Sequence, residues 1–391
     1  EISLGLVGSE MCIRDRLVER ARRAGADAAD AVYGASSSEA IQVRLGKLED
    51  VERSESEHIS LRLFVGRRSA SIGSSDLSEQ ALDELAQRAF AMARSAPEDA
   101  YAGLAPQERL SRGPWRDLDL IDSHEPDPQA LRALAEEAED AARAVAGVTN
   151  SDGATGSAGG GVAALATSHG FAGAYGSTSR SVSVSVVAGE GSGKQRDGEW
   201  RSAHHLADLP SAASIGTIGG ERAVARLEPG TMRSGPMPVV FDPRVGGSLV
   251  GHLMGAMSGG AIARRSSFLL DRLGEQLFDS GITIAEDPLR LRGLRSRPFD
   301  GEGLATSPRN LVEQGRVTGW LLESASARQL GLEPSGHAAR GGNGAPGISV
   351  GNLDLLPGTL SVDALIADIA DGVYVTELIG QGVNGVTGDY S

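Results

Sequence analysis

Cysteine is nearly absent: Cys12 stands alone in 391 residues. One thiol excludes a disulfide framework and a cysteine-rich zinc module, and it fits a reducing compartment. Aromatic side chains are scarce, with three Trp, five Tyr and seven Phe, so the core has to be built from aliphatic residues. Lysine occurs only at Lys47 and Lys194, and arginine supplies the rest of the 37 basic residues. Against 52 acidic residues they leave a net charge of −15. That balance argues against a nucleic-acid partner, whose binding needs a basic footprint to displace counterions. No run approaches the ~20 apolar residues that span a bilayer, so no membrane partner is expected. No basic segment followed by an apolar one opens the chain as a secretion signal would. The expected location is the cytoplasm. What abounds is glycine, 53 residues, about twice the usual share.

The first sixteen residues, EISLGLVGSEMCIRDR, follow neither a helical nor a strand period. The run LVGSEMCIRDR resembles a translated transposase sequencing adapter joined to its recognition end, and residues 1–16 are set aside from fold reasoning on that ground. Met11 and Cys12 both fall inside it, so the rest of the chain offers no thiolate ligand.

Three blocks follow. In residues 17–104, Leu17 to Ala24 reads as a helix with Gly25 as its C-cap. Ile41, Val43 and Leu45 alternate with polar residues, and so do Ile59, Leu61, Leu63 and Val65; period two predicts half-buried strands. From Ser78 the period lengthens, and Leu82, Leu85, Ala86, Ala89, Phe90 and Ala93 mark one face of a helix. In residues 105–228 a proline-punctuated stretch (105–125) precedes a helix capped by Asp127 with Pro128 at its first position. A Gly/Ser/Ala-rich region (150–200), with Ser181 to Val186 in strict alternation, reads as an antiparallel sheet, and a helix resumes over 211–227. In residues 229–391 the pattern predicts a strand at 239–241, helices over 243–257 and 261–278, a hairpin over 311–322, a helix over 361–370 and a strand over 373–379. The expected class is α+β. It comprises an N-terminal two-layer domain, a glycine-rich antiparallel middle region and a C-terminal mixed domain with a large β-sheet.

Several short motifs invite chemistry. Gly342 to Gly347 and Gly380 to Gly385 both match G-x-G-x-x-G, which binds dinucleotides only between a strand and a helix. The first has no strand before it, and the second has no helix after it, so both read as turn glycines. Gly347 to Gly351 matches the nucleophile elbow G-x-S-x-G, but extended chain follows Ser349 where that turn needs a helix. Seven histidines (His58, His124, His169, His204, His205, His252, His337) include no H-E-x-x-H pair, and metal ligation needs three or four converging donors. His252, between Leu249 and Leu253 on a helix, reads as packed or at an interface. Arg264, Arg265, Ser266 and Ser267, placed within the second helix of the third block, offer charge-assisted bonds to a carboxylate or peptide terminus. The plain alternative for them is a solvated helix face.

Longer signatures converge: DAADAVYG, LEDVERSES, LRLFVGRRSASIGSSDLS and APEDAYAGL near the start, then GHLMGAMSGG, SSFLLDRLGEQ, FDGEGLAT, GVYVTELIGQGVN and VTGDYS. Together they resemble the TldD/PmbA family, once described as modulators of DNA gyrase and understood as a metalloprotease system. The resemblance covers residues 17–391 and implies a heterodimer of two subunit types. The TldD type carries a zinc-binding H-E-x-x-x-H; the PmbA or TldE type lacks it. Anchored on Ser266-Ser267 and Gly274-Glu275, the two histidine positions fall at Val250 and Gly255 and the glutamate at Gly251. None of these residues ligates zinc or acts as a general base. The resemblance therefore implies a PmbA/TldE-type subunit with no metal of its own, zinc residing in a TldD-type paralogue, and an unfolded peptide as substrate. Contact with peptide or partner is expected from His252, Arg264, Arg265, Ser266 and Ser267. The alternative is a protein-binding regulator of a topoisomerase. The family pattern runs on beyond TGDYS, so the native protein is expected to continue past Ser391.

Overall fold

The computed structural model describes residues 16–341 and 344–391. The adapter-like opening lies outside them except for Arg16, which is helical and pairs with Glu79 at 3.0 Å. Gly342 and Asn343 of the first glycine pattern also lie outside the described residues.

The fold is α+β. Its main sheet is built from β1 (Ala28–Arg44), β2 (Lys47–Val65), β3 (Arg68–Ser74), β4 (Val148–Thr167), β5 (Ala172–Ala188) and β6 (Gln195–Ala203). The order is β3-β2-β1-β4-β5-β6, antiparallel throughout. The first two blocks thus share one sheet, joined where β1 pairs with β4 from Asp30↔Thr167 to Val43↔Ala154. Period two sends alternate residues of each strand to one face, and helices cover that face in two places. Helix α1 (16–23) and α2 (Glu79–Ser95) bury Ala29, Ala31, Tyr33, Ile59, Leu61 and Leu63. Helices α3 (Pro128–Ala144) and α4 (Ala212–Ala225) bury Val43, Ala154, Val182, Val184 and Val186. Ser78, Asp127 and Ser211 cap α2, α3 and α4 by accepting a backbone N–H from the first turn, which satisfies a donor that the helix itself leaves free.

Glycine allows close approach where α3 meets α4. A Cβ on Gly220 would stand 2.7 Å from the Ala142 carbonyl oxygen, and one on Gly216 would overlap that of Ala138. Leu45 departs from the strand reading. It is 47% exposed, with φ 51°, in the two-residue turn that it forms with Gly46. Such a tight hairpin turn needs left-handed residues. The carboxylate of Glu139 on α3 accepts the N–H groups of both Leu45 and Gly46 at 2.8 Å. Burial works to raise the Glu139 pKa, but these bonds, with Ser151 and Arg143, hold it below the usual carboxylate value.

The third block begins with β7 (Val239–Phe241), α5 (Pro243–Ala256) and α6 (Gly259–Ala263). It continues with β8 (Ile284–Asp287), β9 (Arg309–Glu313), β10 (Arg316–Val317), α7 (Ser324–Leu330), β11 (Ala338–Ala339) and β12 (Gly347–Ile348). It ends with β13 (Asn352–Leu355), α8 (Val362–Ala367) and β14 (Val373–Val375). Its own largest sheet has four short strands, β10-β9-β8-β13, and β14 lies parallel to β7. The large sheet therefore belongs to the first two blocks and not to the third. The helix expected over 261–278 stops at Ala263. Ser266 closes the turn by its N–H and hydroxyl onto the Ala261 carbonyl, and Arg265 sits at φ 55°. Turns and extended chain follow as far as β8. No helix among the described residues is long and apolar enough to cross a membrane.

Candidate functional site

The helix that bears the motif positions is α5. Asp242 caps it by accepting the Arg244 N–H. Burial works to raise the Asp242 pKa, but that bond, the Tyr374 hydroxyl and the Arg244 charge together hold it low. Val245, Leu253, Met254 and Ala256 are buried, and the last three join the C-terminal core of Met257, Leu269, Ile284, Leu311 and Leu321. Val250 packs half-buried against the same core. Gly247, Gly251 and Gly255 recur every four residues along one stripe of the helix. A methyl group added at any of them would touch nothing within 4 Å. His252 turns its ring edge-on to Tyr390, centroids 5.8 Å apart, and its buried Nε2 has no hydrogen-bond partner.

Zinc needs three or four nitrogen, sulfur or oxygen donors converging at about 2.0–2.3 Å. An aliphatic side chain and two glycines supply none, so Val250, Gly251 and Gly255 do not fit a metal. Among the described residues no group of three or more His, Cys, Asp or Glu is arranged to hold one. Several histidines are occupied elsewhere. His204 sets both ring nitrogens against carbonyl oxygens, Thr178 at 2.6 Å and Gly293 at 3.1 Å. His205 meets the Asp119 carbonyl, and His169 the Ala105 carbonyl, each at 2.9 Å.

Arg264 to Ser267 follow α6 and are not on a helix face. Arg264 is the C-cap residue of α6. Arg265 is exposed and 3.7 Å from Asp271. Ser267 is buried, donates to the Ala256 carbonyl at 2.6 Å and accepts the Leu269 N–H, which ties the end of α5 to the following turn. His252 and these four residues flank the same short stretch of chain, but the bonds described for them go to other residues.

A groove of about 850 Å³ lies between the main sheet and the proline-punctuated 115–126 segment. Its lining mixes aromatic and charged groups, among them Glu39, Arg53, Trp115, Asp122, Tyr175 and Arg180. Arg180 is 3% exposed and fastens the segment to the sheet, donating to the carbonyls of His124, Gly159 and Ser179. Asp122 lies 3.9 Å from its Nε. Burial works to raise the Asp122 pKa, but the N–H groups of Leu206 and His124, with the Arg180 charge, keep it low.

The third block meets the sheet through buried charges that the sequence pattern did not reveal. Arg62 donates to Asp30 at 2.8 Å and lies 3.5 Å from Glu302, and Arg340 donates to the other oxygen of Asp30 at 2.7 Å. All four side chains are 7% exposed or less. Burial pulls the Arg62 pKa down, but Asp30 and Glu302 outweigh it; for Arg340 burial prevails. Beside them burial, with the Glu302 charge, pushes Asp300 up to about 6, against three backbone N–H groups.

Buried Glu286 and His337 form a further relay with half-buried Ser335, with His337 Nε2 2.8 Å from Glu286 and Nδ1 2.7 Å from the Ser335 hydroxyl. Ser335 also takes the Leu322 N–H at 2.7 Å, and Glu286 takes that of Gly351. These bonds knit β8 to two neighbouring loops. Ser349 is no nucleophile elbow, because its turn leads into β13 and, among the described residues, its hydroxyl meets only the Val350 carbonyl.

Three segments match the PmbA/TldA metallopeptidase: domain 1 at residues 29–93, the central domain at 121–227 and the C-terminal domain at 234–391. The chain is 36% identical over 366 residues to the metalloprotease PmbA of Escherichia coli O157:H7, covering 93% of this chain and 79% of that one. It superimposes with a TM-score of 0.88 and 25% identity on a crystal structure from Bacteroides thetaiotaomicron described as a modulator of DNA gyrase, covering 97% of this chain and 84% of that one. It shares its fold with TldE of Thermococcus kodakarensis, with a TM-score of 0.82, 20% identity and coverage of 97% and 85%. With all three domains matched in order, this chain belongs to the PmbA/TldD family of metalloproteases.

Proposed function

We propose that the chain is the PmbA/TldE-type subunit of a cytoplasmic zinc metalloprotease that acts on unfolded peptides, and that it holds no catalytic metal. A TldD-type paralogue would supply the zinc, the general base and the polarised carbonyl. The observation that carries the reading is α5, where an aliphatic residue and two open glycines occupy the positions at which the resemblance puts the metal-binding motif. The reading assigns this chain the shaping of the chamber and the holding of extended peptide by backbone hydrogen bonds, which make little demand on sequence. The groove beside Arg180 supports that role with a wall of mixed apolar and charged groups.

The experiment is to measure zinc content and peptidase activity of the chain alone and after co-expression with its TldD-type paralogue. The expected result is a zinc-free, inactive chain and a stable complex that cleaves unstructured peptides. Stoichiometric zinc in the isolated chain would overturn the assignment. So would recovery of gyrase from a pull-down in the absence of any TldD-type subunit, which would favour the regulatory alternative.

A further inference from the structure

Strand β2 is longer than its core requires. Residues 59–64 pair with β1 on one side and β3 on the other, and all of them are buried. Residues 47–58 pair with β1 alone, and every one of their side chains is exposed. The outer edge of this half runs for roughly 40 Å, and no described strand lies against it. Its outward N–H and C=O groups are a template for another strand. Proteins shield such edges with proline, with bulges or with charge.

Beyond a single bulge at Glu49, only charge shields it. There is no proline between Lys47 and Val65, and the register with β1 is unbroken from Asp50↔Gln42 to Ala28↔Phe64. Residues 47–57 carry Glu49, Asp50, Glu52, Glu55 and Glu57 against Lys47 and Arg53. Three of the acids have partners. Glu49 meets Gln42 and Arg44, Glu55 meets Arg53, and Glu57 accepts the Tyr33 hydroxyl. Asp50 takes only its neighbour's N–H. It and Glu52 lie two apart on one face of the strand, opposite the neutral Gln42 and Ala40.

The charge pattern selects the occupant. A second copy of this edge would set acid against acid, which destabilises cross-strand pairs. Nucleic acid is repelled by the same sign. A strand with lysine or arginine at alternate positions matches both free carboxylates while the backbones pair. We infer that residues 50–57 of β2 are a docking edge for an extended basic peptide segment, which adds as a further strand with two alternate cations against Asp50 and Glu52. This deepens the peptide-handling role proposed above and rests on it for its use, but direct binding tests it.

The probes are labelled peptides of about ten residues: alternating Lys-Val, alternating Glu-Val, and Lys-Val N-methylated at one or the other set of alternate amides. Fluorescence anisotropy with the full chain reads their affinities. The Lys-Val peptide should bind, the Glu-Val peptide should not, and one of the two N-methylated forms should lose binding while keeping its charge. The exposed double variant D50K/E52K should weaken Lys-Val binding about tenfold, two cross-strand charge pairs being lost. Equal binding of both N-methylated forms and the parent would overturn strand addition, and unchanged affinity in D50K/E52K would overturn the charge match. Peptide binding without proteolysis in the paralogue complex would sink the protease reading and leave the edge standing. Proteolysis by the complex with no peptide bound by this chain would do the reverse.

Discussion

Replacing a helical glycine by alanine should have opposite effects on two helices of this protein. Alanine is favoured over glycine in a helix interior by about 1 kcal/mol. On α5 nothing opposes that gain, because a methyl group at Gly251 or Gly255 meets no atom within 4 Å. Each of Gly251→Ala and Gly255→Ala should therefore stabilise the chain by roughly 1 kcal/mol. On α4 the methyl group of Gly220→Ala would stand 2.7 Å from both the Ala142 carbonyl oxygen and Val145 Cγ2. Ordinary contact needs more than 3 Å to each, so α3 and α4 must part by several tenths of an ångström along a buried seam that includes Ala138 and Ala142. Overpacking of this kind costs about 1–3 kcal/mol, or more than the propensity gain at its upper end. The net expectation for Gly220→Ala is a loss of up to about 2 kcal/mol, and for Gly216→Ala a larger one, since its methyl group would overlap a backbone carbonyl. Urea unfolding midpoints at constant slope measure all four variants. If Gly216→Ala and Gly251→Ala shifted the midpoint in the same direction, the close α3–α4 contact or the openness of α5 would be wrong.

Three further predictions concern buried polar groups. Asp300, raised in the fold to about 6, holds its proton more tightly than in the unfolded chain; its contribution is fully present below about pH 3.8 and is lost as pH rises through about 6, about 3 kcal/mol in all. Urea unfolding at pH 4.5 and pH 7 should show Asp300→Asn losing that slope; an unchanged slope would refute it. Asp30→Ala leaves Arg62 and Arg340 without their shared carboxylate and should cost roughly 3–5 kcal/mol, read as a fall in thermal midpoint, whereas Arg53→Ala on the exposed hairpin should leave that midpoint nearly unchanged. Ser267→Ala removes the bonds to Ala256 and Leu269 and should cost about 1–2 kcal/mol, with amide exchange quickening around the end of α5; no change in exchange there would sink its role as a tie.

Much of the architecture was legible because local rules acted alone. Asp127 precedes the helix that it caps, with Pro128 at its first position, and the alternation of Ile59, Leu61 and Leu63 marks a buried strand face. The third block was harder to read. Ala261 to Phe278 has enough apolar residues to suggest a helix, yet α6 ends at Ala263, because Ser266 and a left-handed Arg265 close the chain onto Ala261. Leu45 continues the alternation of Ile41 and Val43, yet it sits in a turn that Glu139, 94 residues away on α3, helps to hold. The buried charges were out of reach for the same reason. Asp30 and Arg340 are 310 positions apart, and nothing near either one announces the other.

For the candidate site, residue chemistry alone was readable at three positions. Val250, Gly251 and Gly255, where the resemblance puts the motif, carry no side-chain donor for zinc, and no fold can give them one. Composition likewise determined an aliphatic core and an acidic chain. Only the tertiary structure decided which of those glycines face open space and which admit another helix, which carboxylates are spent on arginines, and that twelve residues of β2 stand exposed with an open edge. The physical reason is that hydrogen-bond patterns and caps act over a few residues, whereas burial, close approach and charge pairing depend on atoms that the folded chain brings together from far apart.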